Sequence, residues 1–355
     1  MAEPSPMNAG DGVHSYAKNS QAQRILSSSV EDTINEIILQ SLDVKGIITS
    51  SSTFSIVDLG CSSGPNTFFS MQNIIEAVES KYLSQELNPK TLRFQVFFND
   101  QTNNDFNTLF GSLPPNRQYF VAGVPGSFHG RLFPSSSIHV AYSSYALHWL
   151  SKVPEELLIK NSPAWNGGRI HYTGASNDVV NAYAAQFEND MDIFLRARAE
   201  EIVPGGMVVI LMPGAMDEVP MNDVGMVFTF FGSILMEMVH EGLLNQDQVD
   251  TFNVPQVYPS VKEMTRLVEK NGLFNIEKME LKNRKANIKA GIDPESGIMH
   301  LRAVGEGTFA KHFGGHIVDE MFKRTVQQKE TLYHFLSVLS GVEIGIQLFA
   351  VLKRK

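Results

Sequence analysis

The segment Phe54–Asn66 constrains the fold of this chain more than any other stretch. Ile56, Val57 and Leu59 form a short apolar run that predicts a buried strand. The run ends at Gly60, and after Gly64 a helical pattern of apolar residues begins at Asn66. A strand that enters a glycine-rich turn and then a helix lets a ligand approach bare backbone at the carboxyl end of a sheet.

A second predicted strand, Phe94–Asp100, ends in an acidic residue. An acid in this position suits hydrogen bonds to a ribose diol. The spacing Asp-x-Gly-x-x-x-Gly, which starts at Asp58, is the nucleoside-binding pattern of Rossmann-like methyltransferases. Dinucleotide enzymes have a middle glycine where this chain has Ser62. The pattern therefore predicts a site for S-adenosylmethionine.

Two alternatives explain the same turn. Gly60–Gly64 also fits the Gly-x-Ser-x-Gly nucleophile elbow of a serine hydrolase, with Ser62 as the nucleophile. Such a hydrolase needs an oxyanion loop rich in His and Gly upstream, where the chain offers only Lys45-Gly46. The second alternative is a structural turn that binds no ligand.

The order of predicted elements indicates an α/β fold, a Rossmann-like methyltransferase sheet with helices on both faces and an α-helical cap. Ser28 and Glu31 have the spacing of a capping box, and Pro204–Gly206 is predicted to precede a central strand over residues 207–212. Residues 1–213 are predicted to be the cofactor-binding core with a substrate-gripping N-terminal segment. Helices without strands are predicted over 214–295 as the cap, and 296–355 as a return to the sheet, through a helix at Val318–Leu332 and a strand at Ile344–Leu352.

Composition narrows the class of protein. The chain of 355 residues has 29 Lys and Arg against 38 Asp and Glu, and its formal charge of −9 argues against nucleic acid or an anionic membrane as a partner. The N-terminus has no apolar core typical of a secretory signal, and no uninterrupted apolar run reaches the eighteen or so residues of a membrane span. One cysteine, Cys61, is expected to be a packed thiol and suits a reducing compartment. We expect a cytoplasmic protein.

Further motifs decide the class. They are Ser15–Gln23, Gly123–Phe128, Ser143–Ser151 and Asp250–Pro255. Together with the glycine turn, and in register from about Gly10 to Lys353, they closely resemble the plant SABATH methyltransferases. That family methylates small carboxylic acids such as salicylate, jasmonate, farnesoate and loganate, and it includes the xanthine N-methyltransferases.

The resemblance implies a set of cofactor contacts. Asp100 would accept from the ribose hydroxyls, Phe128 would stack on adenine, and Ser127 would bond its edge. Relatives often have leucine after the ribose acid, where this chain has Gln101. The implied S-adenosylmethionine contacts are Tyr16, Asp58, Cys61, Asn66, Asp100, Gln101, Ser127, Phe128 and Ser144.

The resemblance also implies how a substrate is held. Gln23 and Trp149 match the pair of donors that grips the substrate carboxylate, since an indole N–H only donates. Because a carboxylic acid is ionised at pH 7, no general base is expected. The implied substrate contacts are Gln23, Tyr145, Ala146, Leu147, His148 and Trp149.

A magnesium site and a homodimer are further implications of the resemblance. Carboxylate, amide and carbonyl oxygens suit a hard cation, and the implied ligands are Asn166, Asp250, Phe252 and Asn253. We expect formation of the methyl ester of a small carboxylic acid. The alternatives are N-methylation of a xanthine, binding of a small molecule without catalysis, and serine hydrolysis.

Overall fold

A seven-stranded sheet forms the centre of the molecule. The computed structural model describes residues 6–48, 53–87, 91–217, 223–283, 294–338 and 346–355. The strands are β1 (Thr53–Leu59), β2 (Arg93–Asp100), β3 (Tyr119–Pro125), β4 (Ile138–Ser144), β5 (Ile202–Pro213), β6 (Phe274–Asn283) and β7 (Ile346–Arg354).

Helices flank the sheet, and a 3₁₀ turn lies at Glu155–Leu158. The helices are α1 (Tyr16–Asn19), α2 (Gln21–Ser28), α3 (Glu31–Ser41), α4 (Val44–Ile47), α5 (Asn66–Ser84), α6 (Phe106–Gly111), α7 (Asn177–Glu201), α8 (Asp223–His240), α9 (Gln246–Asp250), α10 (Val261–Asn271), α11 (Pro294–Phe313), α12 (Gly315–Gln327) and α13 (Lys329–Val338).

The strand order is β3-β2-β1-β4-β5-β7-β6, with β1 to β5 parallel and β7 antiparallel to both neighbours. The order reverses direction between β1 and β4. In sheets of this kind the reversal opens a crevice beyond the carboxyl ends of the two strands, where ligands bind. The ends of β1, β2 and β4 therefore meet where the sequence predicts the cofactor site.

Successive side chains of β5 point to opposite faces of the sheet and pack in two separate parts of the core. Met207, Val209 and Leu211 pack in the cluster that contains α3 and α5. Val208 and Ile210 pack with α7 and α8 on the other face. A strand with apolar residues on both sides is typical of a central parallel strand covered by helices. The predicted α/β fold with helices on both faces is confirmed.

The strand β5 differs from its prediction at its start. The chain does not stop at Pro204–Gly206, because these residues lie inside the strand. The pairing of β5 with β4 shifts register between Ile138 and Val140, and Gly205 has φ +81°. Two steps along β4 face five along β5, and extra residues in a ladder are accommodated as a bulge, for which glycine at positive φ is suited.

Two other local predictions are wrong. The segment 214–295 is not purely helical, since β6 lies within it and forms the edge of the sheet beside β7. The capping box at Ser28 does not form: Ser28 Oγ donates to the carbonyl of Ile25 at 3.1 Å, and α3 begins after Val30 without a side-chain cap.

The C-terminal third differs in its helices. The predicted helix Val318–Leu332 is divided between α12 and α13, and α11 to α13 pack with one another and with α1 and α8 before the chain returns to the sheet. The predicted strand start at Ile344 lies outside the described residues, and β7 is described from Ile346.

Helix α8 is strongly apolar, although charged and polar residues interrupt its sequence. Its 18 residues have a mean hydropathy of 1.2, which by length and composition is enough to cross a membrane. Within the molecule 56% of this window is buried. Phe228 and Phe231 belong to the core on one face of the sheet, so the helix is a core element of this fold.

Candidate active site

A cavity of about 210 Å³, open to solvent, lies beyond the carboxyl ends of β1, β2 and β4. Its wall combines the glycine turn and the loop after β4 with residues of α2, α8 and α11. Within the described part of the chain, no lysine or arginine lines it.

The glycine turn needs its two glycines for different contacts. Gly60 has φ +86°, and a Cβ added there would lie 2.3 Å from the Cβ of Ala146. A Cβ on Gly64 would lie 3.1 Å from the ring of Tyr16. The turn after β1 therefore packs directly against the loop that follows β4 and against Tyr16 of α1, and Tyr16 and Ala146 both line the cavity.

Asp100 joins the end of β2 to this turn. Its Oδ2 accepts from the backbone N–H of Ser62 at 2.7 Å, and its Oδ1 from that of Gln101 at 2.7 Å. Asp100, Ser62 and Gln101 all line the cavity. Burial raises the pKa of Asp100 to about 6 because it penalises the charged form. Ser62 has φ +55°, a conformation uncommon outside glycine and concentrated at functional sites.

Three of the predicted cofactor residues support the turn from behind and are absent from the cavity wall. Asp58 accepts from the hydroxyl of Thr67 in the first turn of α5, and burial raises its pKa to about 7. Asn66 Nδ2 donates to the carbonyl of Ser20 at 2.8 Å. The buried Cys61 packs in the core, as predicted, and burial raises the pKa of its thiol.

The loop that carries Phe128 is held by buried polar groups. Asn99 Nδ2 donates to the carbonyls of Val124 at 2.7 Å and Gly126 at 2.9 Å. The guanidinium of Arg198 donates to the carbonyl of Phe128 at 2.6 Å, and it pairs with Glu201 at 2.7 Å with both side chains almost fully buried.

This anchoring places the Phe128 ring in the cavity wall. Ser127, predicted to bond adenine, is exposed, and its Oγ accepts only a long bond of 3.4 Å from the His129 N–H.

The predicted carboxylate donors meet on one wall. Gln23 of α2 is 9% exposed, and Trp149 is 8% exposed. The indole Nε1 of Trp149, Oε1 of Gln23 and Nδ1 of His148 are buried with no partner among the described residues. Burial alone lowers the pKa of His148 to about 3, so its ring is neutral at pH 7. Buried polar groups are normally bonded, and this cluster of unpaired atoms indicates a ligand site.

The segment that carries Trp149 is paired to the loop after α9. Trp149 and Gln256 form an antiparallel bridge. The Leu150 N–H donates to the carbonyl of Pro255 at 2.8 Å, and the Val257 N–H to that of His148 at 2.9 Å. Two motifs separated by about a hundred residues thus form one wall of the cavity.

The remaining predicted substrate contacts divide between the cavity and the core. Tyr145 and Ala146 line the cavity, whereas Leu147 is 2% exposed and faces the core. Tyr145 has φ +56°, and its hydroxyl donates to Gln347 Oε1 at 2.9 Å. Ser144, predicted as a cofactor contact, also lines the cavity, with its Oγ 3.1 Å from that of Ser27.

The hydrolase alternative has no geometry to support it. Ser62 Oγ is buried and has no hydrogen-bond partner among the described residues. A serine nucleophile needs a base within bonding reach, and the only described acid joined to Ser62 is Asp100, through the backbone. The turn is therefore arranged around its backbone and not around a nucleophile.

A family model described as SAM dependent carboxyl methyltransferase matches residues 2–355. The chain belongs to this family. A loganic acid O-methyltransferase of Catharanthus roseus is 44% identical over 363 residues, covering 99% of this chain and 95% of the relative. A farnesoic acid carboxyl-O-methyltransferase of Arabidopsis thaliana is 41% identical, with both chains covered completely. Paraxanthine methyltransferase 2 of the same plant is 38% identical, with 98% of each covered.

A solved structure of loganic acid methyltransferase with SAH superposes on this chain with a TM-score of 0.92, at 44% identity and 99% coverage of both chains. The resemblance to the plant SABATH enzymes is thereby confirmed. The protein is an S-adenosylmethionine-dependent carboxyl O-methyltransferase, which forms a carboxyl methyl ester.

The predicted magnesium ligands of the methyltransferase lie together, outside the cavity wall. Asn166 Nδ2 donates to Asn253 Oδ1 at 2.6 Å, and the Gly168 N–H donates to Asp250 Oδ1 at 2.7 Å. Oδ1 of Asn166 is a buried acceptor without a partner in the described structure. No cluster of three or more His, Cys, Asp or Glu occurs among the described residues. One carboxylate with amide and carbonyl oxygens, Phe252 supplying the carbonyl, fits a hard cation.

Several residues of the methyltransferase site were not predicted. Leu301, Val304, Thr308 and Phe309 of α11 line the cavity at helical spacing, in a region predicted only as part of the return to the sheet. Their i, i+3, i+7, i+8 pattern was the available signal. Gln256 also lines the wall and lies one residue beyond the recognised motif Asp250–Pro255.

Proposed function

We propose that the methyltransferase holds the carboxylate of a small organic acid between Gln23 and Trp149 and presents it to the methyl donor. The observation that supports this most is the indole N–H of Trp149, which is buried on the cavity wall and has no partner among the described residues. An indole nitrogen can donate and cannot accept. A ligand with an acceptor at this point would satisfy the indole N–H, and an ionised carboxylate oxygen forms a stronger hydrogen bond than a neutral acceptor does.

The reaction needs little chemistry from the protein. The donor supplies an electrophilic methyl group on a sulfonium. A carboxylate oxygen would attack the methyl carbon in line, so that the O–C bond of the ester forms as the C–S bond breaks and the donor leaves as a neutral thioether. Because the acid is already ionised at pH 7, the neutral ring of His148 has no proton to remove. In the tautomer that carries the proton on Nδ1, the ring can donate to the same carboxylate group. The chain's task is alignment of the two atoms at about 3 Å, which accounts for much of the rate in such sites.

The apolar side of the cavity supports the exclusion of water. Phe228 and Phe231 of α8 and Phe309 of α11 line it. Transfer converts an anion and a cation into neutral products, so a cavity poor in water favours the transition state over the separated charges. The fixed amide and indole donors keep the anion bound without a full neutralising charge.

For the methyl donor we propose a seat between the glycine turn and the loop of Phe128. Asp100 retains lone pairs beyond those used by Ser62 and Gln101, and these suit a ribose diol. The ring of Phe128 offers a face for adenine. Asp58, Cys61 and Asn66 are then positioning residues, which hold the turn in the shape that the seat requires.

We further propose that magnesium binds Asn166, Asp250, Asn253 and the carbonyl of Phe252 and has a structural role. The Val254 N–H donates to the carbonyl of Ile170 at 2.7 Å, so this site fastens one loop to the segment that leads to Gln256.

The proposed homodimer follows from the resemblance to the family, and a cytoplasmic location is supported by one buried free thiol. Sedimentation velocity and a fluorescent fusion test these two proposals.

The central proposal is tested with methyl-labelled S-adenosylmethionine and a panel of plant carboxylic acids, with theobromine and paraxanthine as ring-nitrogen acceptors. We expect a base-labile methyl ester from an acid and no methylated xanthine. The primary amide of the best acid should be a poor acceptor, because it is neutral. Methylation of a xanthine at nitrogen, without any ester from the panel, would contradict the proposed seat of the carboxylate.

A further inference from the structure

The wall of the cavity has a second polar group beside Trp149. Gln256 is 3% exposed and lines the cavity. Its backbone bridges that of Trp149. The hydroxyl of Tyr258 donates to Gln256 Oε1 at 2.7 Å. Since the carboxamide oxygen is occupied by this bond, the NH₂ group is the end available to a ligand, and it is a donor.

Tyr258 is itself fixed from two directions. Its backbone N–H donates to the hydroxyl of Tyr172 at 3.0 Å, and its ring packs within the core. The carbonyl of Gln256 is also held, 3.0 Å from Nε2 of His171. Because a carbonyl only accepts, this contact requires the proton on Nε2. Backbone and side chain of Gln256 are thus both locked before a substrate arrives.

A further unpaired group belongs to the same cavity. Thr308 of α11 lines it, and its Oγ1 is buried without a partner in the described structure. A hydrocarbon placed against Gln256 and Thr308 would leave both groups unbonded, whereas a ligand oxygen would satisfy them. Sites built to bond a ligand oxygen reject analogues that lack it far more strongly than apolar pockets reject an extra group.

We propose that Gln256 and Thr308 form a second recognition element, set by Tyr258 as a positioning residue, that selects acids carrying a hydroxyl, ether or carbonyl oxygen away from the carboxylate. The inference rests on the proposed function, because Gln23 and Trp149 must first hold the carboxylate beside this element. It assigns specificity to the body of the acid and leaves the methyl transfer itself unchanged.

The test compares two acids with wild-type enzyme and variants, by kcat/KM for ester formation. Loganic acid has a hydroxylated body, and farnesoic acid has a hydrocarbon body. We expect the wild type to prefer loganic acid at least tenfold. Tyr258→Phe should lower kcat/KM for loganic acid about tenfold, mainly through KM, because the freed carboxamide can turn its oxygen toward the ligand. Farnesoic acid should change less than twofold.

Further variants predict which changes should lower kcat/KM for loganic acid and which should not. Gln256→Glu keeps the bond from Tyr258 but places an acceptor against the ligand oxygen, so it should harm loganic acid more than Gln256→Ala does. Thr308→Val should act in the same direction as Tyr258→Phe. Tyr183→Phe is the matched control, since that buried hydroxyl donates to the carbonyl of Val254 at 3.0 Å, lies 3.5 Å from Asn253 Oδ1, and has no hydrogen bond to Gln256 among the described residues. It should lower the melting temperature and leave the ratio of the two acids unchanged.

Equal losses for both acids in Tyr258→Phe, or a wild type that prefers farnesoic acid, would overturn this inference while the proposed carboxylate seat stands. If Tyr258→Phe fails to fold, the ratios for Thr308→Val and Gln256→Glu decide. If the wild type esterifies neither acid, the second element is overturned as drawn. The carboxylate seat is then judged separately by the other acids of the panel.

Discussion

The backbone N–H of Ser62 lies 2.7 Å from Oδ2 of Asp100, so the turn after the first strand is tied to the acid that ends the second. This bond has no counterpart in the sequence spacing, which predicts only that the two segments lie at the same edge of the sheet. It gives Asp100 two tasks. The carboxylate holds the strained Ser62 in place, and its remaining lone pairs point to a ligand seat.

Asp100→Ala should abolish tight cofactor binding. Loss of two ribose bonds to a charged group corresponds to about 3–6 kcal/mol, or roughly two to four decades in affinity. Calorimetry with S-adenosylhomocysteine measures the change, with circular dichroism as the check on folding. Asp105→Ala is a control, because the half-buried carboxylate of Asp105 caps α6 and lies outside the cavity wall. Wild-type affinity in Asp100→Ala would refute the assignment.

Cofactor affinity should fall as the pH drops through about 6. Burial raises the pKa of Asp100 to about 6 in the free protein, and the protonated carboxyl loses part of its acceptor capacity. The same shift has the opposite sign for folding: stability is greatest while the group is protonated and declines as pH rises from its ordinary pKa near 4 to about 6. Titration calorimetry between pH 5 and 8 tests the first statement, and a flat profile would contradict it.

Trp149→Phe should weaken binding of the acid and leave the cofactor unaffected. The substitution keeps most of the apolar area and removes the one N–H, which costs about 1.5–3 kcal/mol for a bond to a carboxylate. Because alignment also suffers, kcat should fall and KM should rise. Steady-state kinetics and S-adenosylhomocysteine affinity measure the two effects. Gln23→Ala should behave in the same way, and an effect on cofactor affinity alone would exclude the carboxylate role.

Gly60→Ala should destabilise the fold, and Ala146→Gly should partly restore it. The added Cβ would lie 2.3 Å from that of Ala146, a clash of the kind that costs about 1–3 kcal/mol. The positive φ adds about 1–3 kcal/mol of strain, which the second substitution cannot relieve. Urea unfolding of the single and double variants measures both contributions. No recovery in the double variant would mean that the Ala146 contact is not the cause.

Removal of magnesium should lower the melting temperature and leave substantial activity. The proposed ligands join two loops and do not line the cavity, so the ion stabilises by binding the folded state alone. Differential scanning fluorimetry with and without EDTA measures the shift, and Asp250→Asn should lose most of its response. An unchanged melting temperature of the wild-type enzyme would contradict the proposed magnesium site.

The parts of this structure that the sequence predicts are those determined by single residues. A glycine between strand and helix and an acid at a strand end are visible without knowing their neighbours. Strand β6 could not be predicted because its apolar alternation changes phase by one residue. The apolar positions are Phe274 and Ile276 in the first half and Met279 and Leu281 in the second. The pairing with β7 shifts register at that place, and a bulge is defined by the partner strand.

The buried polar residues that hold the loop of Phe128 could not be predicted for a similar reason. Arg198 and Glu201 have the spacing of an ordinary surface pair on a helix, yet they are buried and hold the loop of Phe128. Asn99 was read only as part of a strand, although its amide bonds both Val124 and Gly126. Which side chains turn inward depends on how distant segments pack, and no local pattern contains that information.

The absence of lysine and arginine from the described cavity wall sets an order of events. A carboxylate that enters this cavity alone leaves water for amide and indole dipoles and meets the buried Asp100 in the same cavity. The positive charge that can balance this carboxylate is the sulfonium of the methyl donor, so the acid should bind after the donor. It should bind only weakly when the site holds the demethylated donor, which has lost the sulfonium charge. Transfer therefore removes the attraction that assembled the complex, and the uncharged ester departs from a site that no longer favours it.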